Sequence, residues 1–78
     1  MNILSDRNVS IKAKGVYCMI KCLNDNNEKV TQQILCNYTS TGEKAIVTGI
    51  KELKDKGYLV IEKINVNGKF IYEYKLLK

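Results

Sequence analysis

A chain of 78 residues can hold one domain with one modest core and no second domain. Thirteen Lys and Arg against eight Asp and Glu leave a formal charge of +5, which favours a polyanionic partner, nucleic acid ahead of an anionic membrane surface. With no His, the commonest general base and metal ligand is missing. No run approaches the roughly 18 apolar residues that span a bilayer, and the start MNILSDRNVS lacks a signal peptide's apolar region. The chain therefore reads as cytoplasmic and non-enzymatic, with no cofactor, metal or small-molecule substrate.

Cys18, Cys22 and Cys36 are odd in number and lack a Cys-x-x-Cys knuckle, so neither a disulfide framework nor a zinc site is expected. They are read as structural thiols, small hydrophobes tending to be buried. Residues 1–9 form a lead-in from which Ile3 and Leu4 can lie on the domain. Ser10 is the N-cap of a first helix over 11–23, in which Ala13, Val16, Tyr17, Ile20 and Leu23 share the core face and Lys14 and Lys21 the wet one. Ile11, Cys18 and Cys22 sit on a shoulder that the main core does not fully cover. The expected cover is Ile3 and Leu4 folded back; a dimer or inter-domain contact is the functional alternative.

The run NDNN at 24–27 ends that helix, because Asn and Asp bond their own local backbone and tolerate left-handed geometry. Residues 28–30 supply a very short extended segment with Val30 inward. Thr31 caps a second helix of about two turns whose Ile34, Leu35 and Tyr38 face inward. A helix that short persists only by packing against its neighbours.

The turn cluster TSTG places Ser40 or Thr41 as the cap of a third helix over 41–56, with Glu43 in its first turn and Gly57 as its stop. Ala45, Ile46, Gly49, Ile50 and Leu53 fall in its inward sector; Lys44, Val47, Thr48, Lys51, Lys54 and Asp55 fall in the opposite one. Gly49 on the inward face predicts a close helix crossing. Residues 58–64 and 69–77 are β-branched and aromatic, and Asn67-Gly68 between them predicts a two-residue hairpin turn. That turn pairs Ile61 with Tyr74 and Leu59 with Leu76 on the core-closing face, and sets Glu62 opposite Glu73, with Lys63 and Lys75 nearby to offset the repulsion.

The resulting order is α+β: three helices, then a two-stranded hairpin wing over 58–77, the pattern of a winged helix-turn-helix. In such modules the last helix reads bases in the major groove. Lys44 and Lys51 are candidates for guanine acceptors or phosphates, Thr48 for a base or phosphate, and Val47 for a thymine methyl. Lys54, near the helix end, suits a phosphate. Thr31 and Gln32, where backbone donors are exposed, also suit phosphate, and Asn65, Asn67 and Lys69 suit backbone or minor groove at the wing. For each of these the alternative is a solvated surface, and for Thr31 a plain cap. The main functional alternative is a winged helix used for protein–protein interaction within a larger replication or regulatory assembly.

The segments LSDRNVSIKAKGVYCMI, VTQQIL, GEKAIVTGIKELKDKGYL and YEYKLL resemble the N-terminal winged-helix domain of replisome organiser and replication initiator proteins of Gram-positive phages and plasmids. The resemblance covers nearly the whole chain and is most specific at Lys12, Ala13, Lys14 and Gly15 and at 51–53 and 57–59. It implies double-stranded DNA binding by a small module attached to a larger replication protein. Such proteins continue into an oligomerisation or loader-binding region, whereas this sequence stops at Lys78, so an excised domain and a stand-alone regulator of a mobile element both stay open. A homodimer and further domains of a parent protein are the open partners.

Overall fold

The computed structural model describes residues 3–40 and 42–77. A single 3-10 turn, Ile3–Ser5, precedes α1 (Ile11–Asp25), α2 (Gln32–Asn37), α3 (Glu43–Asp55), β1 (Leu59–Val66) and β2 (Lys69–Leu76). The two strands pair antiparallel, in the register expected from the Asn67-Gly68 turn: Leu59 faces Leu76, Ile61 faces Tyr74 and Glu62 faces Glu73. Asn67 and Gly68 both adopt positive φ, 52° and 80°, the backbone of a type I′ turn. The Glu62–Glu73 repulsion is relieved by an ion pair at 3.2 Å from Lys75 to Glu62. Lys63 instead lies over the Phe70 ring, 4.1 Å from its centre. The chain thus forms three helices followed by a hairpin, a winged helix-turn-helix.

Helix ends are set by local chemistry. The Ala13 N–H donates to Ser10 Oγ at 3.1 Å, and the Ile34 N–H donates to Thr31 Oγ1 at 3.1 Å, so both expected caps form. At the C-terminus of α1, Asn27 takes the left-handed conformation, the Glu28 N–H reaches the Leu23 carbonyl at 2.8 Å and the Asn27 N–H reaches that of Asn24. The same closure recurs after α3: Gly57 has φ 80° and the Tyr58 N–H donates to the Leu53 carbonyl at 2.9 Å. Both are Schellman motifs, which satisfy carbonyls that a helix end leaves open. The start of α3 differs from expectation. Its N-cap is Gly42 at φ 94°, with no side-chain cap, so Ser40 does not serve. Thr41 lies outside the described residues, as do Met1, Asn2 and Lys78. A chain entering α3 through left-handed backbone favours glycine over a hydroxyl residue there.

The core is built from Ile20, Leu35, Ile46 and Leu53, all fully buried, with Ala13, Val16, Leu23, Val30, Ile50, Tyr58 and Leu59 around them. On α1 and α3 the inward residues are those that helical spacing assigns, apart from half-buried Tyr17 and Ala45. Gly49 marks the α1–α3 crossing. A Cβ built there would stand 2.7 Å from Val16 Cγ2, and Val16 is itself buried and stiff at χ1. Gly49→Val is therefore expected to cost about 1–3 kcal/mol by overpacking, read as a lower urea midpoint with an unchanged slope.

The structure departs from four further sequence expectations. The extended segment at 28–30 forms no strand, because the Glu28 N–H is drawn into the α1 closure, although Val30 is buried as expected. Tyr38 is 64% exposed because α2 stops at Asn37, which makes Tyr38 its C-cap instead of a further turn of its inward face. The lead-in does not cover the α1 shoulder. Ile3 and Val9 enter the core while Leu4 stays exposed, and the lead-in is tied down by Lys14 Nζ donating to the Leu4 carbonyl and Tyr58 Oη donating to Asp6 Oδ2 at 2.6 Å. Ile11, Cys18 and Cys22 are accordingly exposed, and only Cys36 is partly covered as a structural thiol would be.

A brace between α1 and α3 has a pH consequence. Ser10 donates its N–H and its hydroxyl to the two carboxylate oxygens of Glu52, at 2.6 and 2.9 Å. Glu52 thus performs from another helix the task that a capping-box glutamate performs from the same one. The Ser10 N–H, then its hydroxyl, hold the Glu52 pKa below its ordinary 4.5. The Tyr58 hydroxyl, then the Asn8 N–H, hold Asp6 below 3.8. A carboxyl with a depressed folded pKa gives stability that is present above its unfolded pKa and is lost as pH falls through the folded one. The melting temperature is expected to decline as pH falls below about 4.5. Glu52→Gln, which removes the titration, should flatten that decline.

Candidate nucleic-acid interface

The two faces of α3 divide as its sequence does. Ile46, Gly49, Ile50 and Leu53 are buried, and Lys44, Val47, Thr48, Lys51, Lys54 and Asp55 are exposed. Because α2 and α1 grip the buried face, the exposed one projects as a fixed row with three ammonium groups. Lys44, Lys51 and Lys54 join none of the ion pairs among the described residues, so their charge is presented outward. Thr48 donates its hydroxyl to the Lys44 carbonyl at 2.9 Å. Its oxygen is left to accept, which suits a base amino group better than a phosphate. Val47, 43% exposed, gives the row an apolar point between its polar ones.

Gln32, at the start of α2, donates its amide to Glu43 Oε1 at 3.1 Å. This contact fixes the first turn of α2 against the first turn of α3, the corner that turns one helix into the other. Asn67 and Lys69 stand exposed at the wing tip, as does Asn65, apart from the α3 row.

A second feature lies between the wing and the helices. Thr31, Gln32 and Lys54 line a cleft of about 580 Å³ together with Lys29, Lys63 and the inner face of the wing, where Ile61, Phe70, Tyr72 and Tyr74 stand. The structure thus brings three of the sequence-derived candidates into one place and leaves Lys44, Val47, Thr48 and Lys51 on the adjoining helix face. Lys29, Lys63, Phe70 and Tyr72 escaped the sequence reading. Strand alternation carried the signal: residues 70, 72, 74 and 76 share one face, and only Tyr74 and Leu76 are needed to close the core. Burial raises the Tyr74 phenol above its ordinary 10.0, in keeping with a ring at the junction of core and cleft.

Among the described residues no group of three or more Cys, Asp or Glu could hold a metal ion, and no helix is long and apolar enough to cross a membrane.

Three packed helices, the last with an exposed face that carries Lys44, Lys51 and Lys54, and a following hairpin define the class of winged helix-turn-helix DNA-binding domains. Residues 8–59 match the family model described as helix-turn-helix domain, and the chain belongs to that family. The match ends at Leu59, the first residue of β1, so the wing is the addition seen in the structure. No curated protein and no solved structure matches the chain significantly.

Proposed function

We propose that the domain binds double-stranded DNA with α3 in the major groove, in the control of replication or transcription, in keeping with the resemblance to phage and plasmid initiators. The observation that carries this reading is the exposed row Lys44, Val47, Thr48 and Lys51 on a helix whose opposite face is fully anchored. The major groove admits one α-helix, and such a row offers donors for guanine, an acceptor for amino groups and a methyl contact for thymine. Lys54, Thr31 and Gln32 take phosphates beside it, and Asn67 and Lys69 at the wing tip reach the neighbouring backbone.

Anisotropy titrations of a labelled duplex at several salt concentrations test this. Log affinity should fall linearly with log salt, by about 0.9 for each phosphate neutralised; affinity indifferent to salt would remove the electrostatic basis of the reading. A second reading, docking of a protein on the α1 shoulder, is favoured by Ile11 at 89% exposure beside exposed Tyr38. Charge reversal on α3 separates the two, since it abolishes duplex retention and leaves protein capture intact.

A further inference from the structure

We propose that the cleft between the wing and the start of α2 is a binding site for an unpaired nucleobase, so that the domain favours duplex DNA flanked by a single-stranded stretch. The proposal rests on the nucleic-acid reading above, but not on how α3 enters the groove.

Charge is the first support. Lys29, Lys54 and Lys63 reach the cleft from three separate segments, and no carboxylate lines it. Such a concentration of one sign draws a phosphodiester backbone.

The rings are the second. Phe70 and Tyr72 are 58% and 51% exposed on the face of β2 that closes the core further along. Residues two apart on a strand are separated by about 6.8 Å, roughly twice the 3.4 Å rise of stacked bases. One base therefore fits beside either ring or between the two. Within a closed duplex both faces of each base are already stacked, so these rings can take only a base that has left the helix. Asn67 and Lys69 at the tip can follow duplex backbone without using them. The cleft, about 580 Å³, has room for a single base.

The Lys63 ammonium over Phe70 marks the third support. Base–aromatic stacking outweighs an exposed cation–π contact, so an entering base displaces the ammonium, which is then placed to meet the phosphate of the same nucleotide. Thr31 and Gln32 at the far wall offer polar atoms to the base edge or backbone without a fixed pattern, which predicts tolerance of base identity.

The test compares a blunt duplex with the same duplex extended by a single-stranded thymidine tail containing one 2-aminopurine. The wild-type domain should bind the tailed duplex about 10-fold more tightly and quench the 2-aminopurine. Phe70→Leu with Tyr72→Leu keeps apolar side chains at these exposed positions; it should erase both the preference and the quenching while leaving blunt-duplex affinity unchanged. Equal wild-type affinity for the two duplexes, or a preference that survives the leucine pair, would overturn the proposal. Lys44→Glu with Lys51→Glu keeps the outcomes apart. If α3 reads the duplex, that variant loses blunt-duplex binding yet still quenches a single-stranded oligonucleotide carrying the probe. Absence of blunt-duplex binding in the wild type, with quenching retained, would sink the duplex reading and not the cleft.

Discussion

Replacing Lys44 and Lys51 together by glutamate is expected to weaken duplex binding by at least about 30-fold, taking each contact at about 1 kcal/mol or more. Both side chains are exposed and anchor nothing in the fold. Lys44 lies in the first turn of α3, where a carboxylate complements the helix dipole, so folding of that helix should if anything gain. The loss falls on the partner. Each reversal removes one counterion-releasing contact and sets a negative charge against phosphate, so the salt slope should also shrink by about 1.8, or 0.9 per site. Lys21→Glu supplies the control. Lys21 is exposed on α1, paired at 3.5 Å with Asp25, and has the same formal charge without a place on α3. Anisotropy titrations with one duplex should show a change of at most a few fold for Lys21→Glu. If the control matched the α3 variant, net charge rather than the helix face would govern binding.

Leu35→Ala should have the largest effect on stability. The helix it belongs to is six residues long, far below the length at which a helix holds itself in water. Leu35 is the one residue of α2 that is fully buried, and Ile34 and Cys36 beside it are only partly covered. Truncation removes about 2–5 kcal/mol, against a total of about 4–12 kcal/mol expected for a domain of this size. A fall in melting temperature of about 10–30 °C follows. The damage also reaches the interface, because α2 carries Gln32, is capped by Thr31 and holds one wall of the cleft. Calorimetry checks the first effect. The second is checked by duplex affinity measured well below the new melting point, where the loss should exceed that of any single exposed lysine.

Much of this fold could be read before any coordinates. Ser10 and Thr31 are hydroxyl residues placed just ahead of apolar helical periodicity, and Gly57 and Asn67-Gly68 occupy positions where left-handed backbone is required. The buried faces of α1 and α3 follow from spacing alone, because each helix is long enough to hold one orientation. Tyr38 departs from its spacing because spacing presumes that a helix continues, and α2 ends one residue earlier. Gly42 is hidden as a cap by the hydroxyl residues before it in the sequence, although the entry to α3 turns on backbone shape. The seat of the lead-in is not legible locally, since the bond from Tyr58 to Asp6 spans 52 positions and no local pattern announces it.

The candidate interface was legible in part for the same reason. Lys44, Val47, Thr48 and Lys51 lie on one helix, where periodicity shows the face directly. The cleft joins Lys29, Lys54, Lys63 and the wing rings from four segments, and only the packed arrangement brings them together.

Contact between the exposed face of α3 and DNA leaves a residue-by-residue signature. Titrating uniformly ¹⁵N-labelled protein with duplex DNA, and following the amide resonances, tests it most directly. The largest shifts are expected at Lys44, Val47, Thr48 and Lys51, with smaller ones at Thr31, Gln32 and the wing tip and almost none along Ile11, Cys18 and Cys22. Shifts concentrated on that α1 shoulder, with α3 unmoved, would contradict it.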